Sequence, residues 1–415
     1  MESTRRFSEN FLRRRTTLKL CRSHSTVQKM KHFTEKVFIG RMFCLVALVF
    51  PIKARKAFSY DLLQACLHYG ATIFLGVYVI GDFRNIYRLL WNIPVGLTFC
   101  AFFTDFFSIT IRITLLCKRQ SILSTITYLQ AVHSSLQHGK DSSKISQLAI
   151  GVIISCTFPS ALLWYTVTLC CKGNEKVLAH YVKYTFFGWS ADNKWTNCLL
   201  FVIVDHLLTL QQHVLSGFLM VLCWYLFELL KQIIESFLIS SQQENDLEQL
   251  CKAYLKYSKT ILNCMSYMEQ SLSLLLILVY IYMVSTMFSV TTYLMRANLS
   301  VSPLLMVASQ VILLFVILIG FYATSFQAVA VYDVAIKVKN CIYEIVSKSD
   351  SEDYDMKCLL LTMAADFPSR VAIKVGGLFY LKRNFLQKTT SGIVTYAVLL
   401  SQLENHKVFR QVFED

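Results

Sequence analysis

The sequence predicts an all-α, polytopic membrane protein with seven transmembrane helices, its N-terminus in the cytoplasm and its C-terminus outside. Three observations carry that prediction. Of the 415 residues, 55% are hydrophobic and only 16% are charged, where soluble domains carry about a quarter charged. The apolar residues come in long continuous runs, whereas a membrane β-barrel shows short alternating segments. Basic residues collect between alternate runs, as cytoplasmic loops require. The formal charge of +15 is accounted for by those loops. No zinc-finger spacing or other nucleic-acid motif accompanies it, so no nucleic-acid partner is expected.

Residues 1–58 read as a cytoplasmic N-terminal arm, polar and basic, with Arg13, Arg14 and Arg15 in one run. No apolar core follows the first charges closely enough for a signal peptide. Within the arm, 37–52 is apolar but short, interrupted by Arg41 and ended by Pro51. A span needs about 20 apolar residues to cross about 30 Å, so 37–52 reads as an interfacial or re-entrant segment. The spans are then 59–80, 94–117, 147–171 and 196–222, which together fill 59–222.

A cytoplasmic helical extension follows over 223–269. Leu226, Leu229, Leu230, Ile233, Ile234 and Phe237 recur near helical spacing, and Leu247, Leu250, Tyr254 and Leu255 continue the pattern. No Pro or Gly interrupts 223–275, so the fourth and fifth helices extend below the membrane as an amphipathic pair. Spans five and six occupy 270–295 and 302–328, within 270–328. Residues 329–385 supply cytoplasmic anchor helices: 330–349 prolongs the sixth span, 350–355 is an acidic loop, and 356–382 reads as one further helix. The last span, 386–403, is short and starts next to Lys388, and 404–415 is an extracellular tail. A span that short fits inside an assembly or beside water better than against lipid.

This arrangement places 31 of the 40 Lys and Arg outside the spans on the cytoplasmic side. Making 37–52 a crossing segment would turn the nine basic residues before the last span outward. The one sequon, Asn298-Leu299-Ser300, falls in an outer loop, where glycosylation of Asn298 requires it. Most of the 14 cysteines lie in apolar runs as small buried hydrophobes. Cys198 faces one outer loop together with Cys170 and Cys171, and a disulfide from Cys198 to either is open.

No Walker loop, HExxH or GxSxG is present, so an enzyme is not expected, nor a cofactor or a metal. The intramembrane polar groups carry more information, because each is costly in hydrocarbon. Asp205 and His206 lie in the fourth span above Gln211, Gln212 and His213; Asp105 and Arg112 share a face of the second; Gln310 and Gln327 lie in the sixth. They either pair with one another to fix helix register or line a wet ligand cavity. A small-molecule pocket would combine such groups with aromatic walls in the outer half of the bundle. Phe103, Trp164, Tyr165, Phe201, Asp205 and His206 are the candidates.

The last span is the most specific feature. At 100° per residue Leu399, Gln402 and Leu403 share one face, and Ser391, Thr395 and Val398 extend the stripe inward. Around a symmetry axis, rings of Leu399 and Leu403 would form a constriction that gates by dewetting, and Gln402 would offer neutral dipoles to an ion. The other reading is an ordinary buried helix whose glutamine is satisfied internally.

The segment Gly376-Gly377-Leu378-Phe379-Tyr380-Leu381-Lys382-Arg383, followed by Thr395, Tyr396 and Gln402, resembles the C-terminal signature of arthropod gustatory receptors. That family is related to the insect odorant receptors and their co-receptor. The signature is Thr-Tyr, five hydrophobic residues, then Gln-Phe. Ser401 departs from the fifth hydrophobic position, and Leu403 replaces Phe as in the co-receptor. Phe50-Pro51 ahead of the first long span also resembles the family. The resemblance implies a homotetramer, or a hetero-oligomer with related receptors, in the plasma membrane. It implies a ligand-gated nonselective cation channel opened by a small-molecule tastant. Leu399 and Leu403 would be the gate, with Gln402 facing the pore and permeant cations; Thr395 and Tyr396 would pack and couple. In the sugar-receptor branch the residue after Thr-Tyr is often acidic, and Ala397 does not match it. The alternatives are a seven-span receptor or co-receptor without its own pore, or a small-molecule transporter. A G-protein-coupled receptor has the opposite N-terminal side, and no Asp-Arg-Tyr or Asn-Pro-x-x-Tyr stands at a span end.

Overall fold

In the computed structural model of the chain, the described residues are 70, 73, 76–77, 95–136, 193–209, 215–243, 246–296, 304–349 and 353–414. They form helices α1 (Val95–Leu136), α2 (Lys194–Thr209), α3 (Leu215–Gln243), α4 (Leu247–Arg296), α5 (Leu304–Lys348) and α6 (Tyr354–Val371). A two-stranded hairpin, β1 (Lys374–Val375) and β2 (Phe379–Tyr380), then leads into the last helix, α7 (Arg383–Glu414). The protein is an all-α, polytopic membrane protein. Three of the described helices are long and apolar enough to cross a membrane, over Leu215–Gln243, Leu247–Thr292 and Gln310–Lys348. At about 1.5 Å per residue, the 50 residues of α4 exceed twice the thickness of the hydrocarbon layer, so much of α4 lies outside it.

The helices pack as the apolar stripes dictate. α4 lies against α1, α3 against α5, and α6 against both α5 and α4. The stripe expected on the extension is buried at Leu226, Leu229, Leu230, Ile233, Ile234 and Phe237, and again at Leu247, Leu250 and Tyr254. Leu255 is the exception, half exposed on the outside of α4. Phe237 is at the centre of an aromatic knot. Its ring lies 5.7 Å from Tyr254, 5.0 Å from Tyr257 and 6.1 Å from Phe367, tying α3, α4 and α6 together. The Tyr254 hydroxyl donates to the Met363 carbonyl at 2.8 Å and the Tyr257 hydroxyl meets that of Ser240 at 3.1 Å, so both polar atoms in the knot are satisfied.

The run over 223–275 falls into α3 and α4, the two helices that part between Gln243 and Leu247. Asp246 caps α4: its carboxylate accepts from the Glu248 N–H at 3.2 Å and its carbonyl from Leu250 at 2.9 Å. The helix expected over 356–382 ends at Val371, and the hairpin takes the rest. α6 itself starts where Asp353 accepts the Met356 N–H at 3.1 Å.

The fourth span, expected over 196–222, corresponds to α2 and α3, with 210–214 outside the described residues. The last helix is longer than expected and continues through 404–414. Cys198 is disulfide-bonded. Cys170 and Cys171 lie outside the described residues, as do Asn298, the segment 37–52, most of the first span and the third span.

Candidate pore helix and its supports

The base of α7 is set by the hairpin. Gly376 and Gly377 have φ of 59° and 72°, the left-handed region that glycine enters without strain, in the three-residue connection between Val375 and its partner Phe379. The turn closes with the Leu378 N–H donating to the Val375 carbonyl at 3.0 Å, and Lys374 pairs with Tyr380. At Gly376 there is also no room for a side chain. A Cβ there would stand 2.9 Å from Cδ1 of Ile277 on α4.

Five sets of contacts hold α7 on its own chain. Leu386 and Ile393, seven residues apart, are buried. Phe385 stacks on Phe379 at 4.6 Å and meets Tyr280 and Phe321 at 6.0 and 6.4 Å. The Tyr322 and Thr390 hydroxyls share a hydrogen bond of 2.5 Å between α5 and α7. At the foot, Arg383 donates to Asp333 of α5 at 2.8 Å. Higher up, the Tyr396 ring sets its edge against Phe288 of α4 at 4.8 Å.

Among the described residues, nothing covers the opposite face of α7. Gln387, Lys388, Ser391, Gly392, Thr395, Tyr396 and Leu399 line an open groove of about 580 Å³ along it. Leu399 is 50% exposed, Val398 43%, and Gln402 is exposed as well. Leu403 lies on α7 one residue beyond Gln402, its side chain outside the described residues. Leu399, Gln402, Thr395 and Tyr396 are thus on one helix, with Tyr396 at the border between covered and open faces.

The candidate ligand residues are not brought together among the described residues. Phe103 is 42% exposed and stacks on Phe107 of its own helix at 5.9 Å. Phe201, Asp205 and His206 lie on α2, but their side chains are outside the described set, and so are Trp164 and Tyr165 altogether. Arg112 is buried to 1% exposure on α1, the largest fully buried side chain. Gln327 of the sixth span reaches Glu228 of α3, in keeping with intramembrane polar groups that pair across helices.

Sequence reasoning missed the chain of polar groups that continues from Glu228. Its other carboxylate oxygen accepts from Gln232 at 2.6 Å, and Gln232 meets His133 of α1 at 2.7 Å. Glu228 was visible as the lone acidic residue in the otherwise apolar start of α3. Its partners on α1 and α5 are about a hundred residues away in sequence and were not. Nor did the sequence point to Tyr322 or Asp333 as supports of the last helix.

No protein-family model and no curated protein matches the chain. Solved structures do. The insect olfactory receptor OR5 from Machilis hrabei superposes with a TM-score of 0.61 at 11% identity, covering 90% of this chain and 99% of that one. The same receptor in complex with eugenol matches at TM-score 0.61 and 10% identity, with the same coverage. The chain therefore has the fold of an insect olfactory receptor over nearly its whole length.

Proposed function

We propose that this chain is a chemosensory receptor of the gustatory type, a subunit of a ligand-gated nonselective cation channel whose pore is lined by α7. The observation that carries the reading is the open face of the last helix. Ser391, Thr395, Leu399 and Gln402 stay uncovered among the described residues, while Leu386 and Ile393 hold the other side inward. Uncovered polar groups on a membrane helix are costly against lipid. The same stripe around a symmetry axis faces water instead. A likeness in fold to an olfactory receptor solved with eugenol supports a small-molecule ligand, and the Thr395-Tyr396…Gln402 signature supports the gustatory assignment.

In this mechanism rings of Leu399 and Leu403 close the pore by excluding water. A tastant acts only through its greater affinity for the arrangement in which those rings stand apart. The Arg383–Asp333, Tyr322–Thr390 and Phe385 contacts fix the inner end of α7, so the opening movement is largest at the outer end. Tyr396 against Phe288 is the contact through which α4 moves that end.

Voltage clamp of cells expressing the chain, with a panel of sugars, bitter compounds and internal nutrients, tests the reading. A ligand-evoked cation current, with raised resting current in Leu399→Ala and Leu403→Ala, is expected. Current that appears only with a related receptor present would make this chain a co-receptor. Substrate uptake without current would make it a transporter and end the pore assignment.

A further inference from the structure

The hairpin at the foot of α7 has a chemistry that the pore does not use. Its depth follows from two independent counts. From Arg296 at the outer end of α4, about 30 Å of hydrocarbon at about 1.5 Å per residue ends near residue 276. From Leu304 at the outer end of α5, the same count ends near residue 324. Gly376 abuts Ile277, and Phe385 and Thr390 meet Phe321 and Tyr322. With the outer ends of α4 and α5 set at the outer edge of the hydrocarbon, the first count brings the hairpin, and the second the foot of α7, to its inner edge.

At that depth it gathers cations around an aromatic ring. The Nζ atoms of Lys374 and Lys382 each lie 5.4 Å from the centre of the Tyr380 ring, and Lys382 lies 5.7 Å from Tyr332. Arg383 follows directly, and its partner Asp333 supplies the one ion pair found in the cluster among the described residues. Leu378, at the tip, is 74% exposed. Like charges set around one ring repel, and a bound anion adds to the ring's own attraction in offsetting that repulsion. An apolar tip with lysines behind it suits a surface whose phosphates lie just outside its acyl chains.

We propose that the hairpin is a binding site for the anionic headgroup of an inner-leaflet glycerophospholipid, with Lys374 and Lys382 on the phosphate and Leu378 among the acyl chains. Because Lys382 and Arg383 open α7, an occupied site also stiffens the foot of that helix. The inference rests on the inward-facing orientation from the charge count, not on the channel reading, and its test does not require current.

Purified full-length protein in detergent micelles doped with equal phosphatidylcholine and phosphatidylserine is released for native mass spectrometry and the retained lipids are identified by mass. Preferential retention of phosphatidylserine is expected. It should fall about fivefold per lysine removed, as one basic contact to an anionic surface is lost each time, in Lys374→Gln and Lys382→Gln. The paired arginine variants should restore it. Equal retention of both lipids by the unaltered protein, or unchanged preference in the double glutamine variant, overturns the proposal. So does full competition by tail-free glycerophosphoserine, which would mark a soluble-anion site. In a second arm, Leu378→Trp in vesicles should gain fluorescence that brominated acyl chains quench. A gain that stays unquenched, as it would beneath a second copy of the chain, also overturns it.

Discussion

The aromatic knot of the anchor and the open face of α7 are built on opposite terms. In the anchor, α3, α4 and α6 bury Phe237 to 0% exposure, Phe367 to 2% and Tyr254 to 3%, with Tyr257 partly covered at the margin. Along α7, Val394, Val398 and Leu399 remain 43–57% exposed, and the contacts holding the helix are concentrated at its foot. Stability resides where stripes from several helices interlock. Exposed apolar surface of the second kind is free to meet lipid or, in the proposed channel, the other subunits and the pore.

Substitutions that sharpen this contrast differ first in their effect on stability. Phe237→Ala empties the centre of the knot and should cost about 3–5 kcal/mol, read as loss of the monodisperse gel-filtration peak after mild heating in detergent. Gly376→Ala forces a side chain into the left-handed region and toward Ile277; about 1–2 kcal/mol is expected from the backbone, with Gly377→Ala showing the backbone part alone. Tyr322→Phe removes one hydrogen bond to Thr390, about 0.5–1.5 kcal/mol, and should loosen the foot of α7 as seen by faster amide exchange there. Leu399→Ala should leave thermal stability within about 0.5 kcal/mol while raising resting current. A large loss of stability in Leu399→Ala would break the comparison, because it would make the open face part of the core.

The same division governs what could be read from sequence. The stripe from Leu226 to Phe237 was legible because a 3.6-residue period survives whatever the neighbours are. Leu255 misled, since the pattern continues past the point where α4 has a partner on that side. The hairpin was overrun by a helix reading of 356–382, although Gly376-Gly377 between Lys-Val and Leu-Phe-Tyr is a turn signal in its own right. Asp246 was not singled out, because a cap is a single side chain and leaves no periodic mark in the sequence. For the candidate site, the last helix and its Leu399 and Gln402 stripe came from spacing. Asp333, Tyr322 and Glu228 did not, because their roles exist only once distant helices meet.

The clamp at Arg383, Phe385 and Thr390 makes α7 a cantilever. From Thr390, the last residue of that clamp, to Gln402 the helix rises about 18 Å, so a pivot of roughly 6° there carries the tip about 2 Å sideways, at the same helical rise. A deflection of that size is comparable to the radius of a water molecule, and it is achieved without breaking a single turn of the rod.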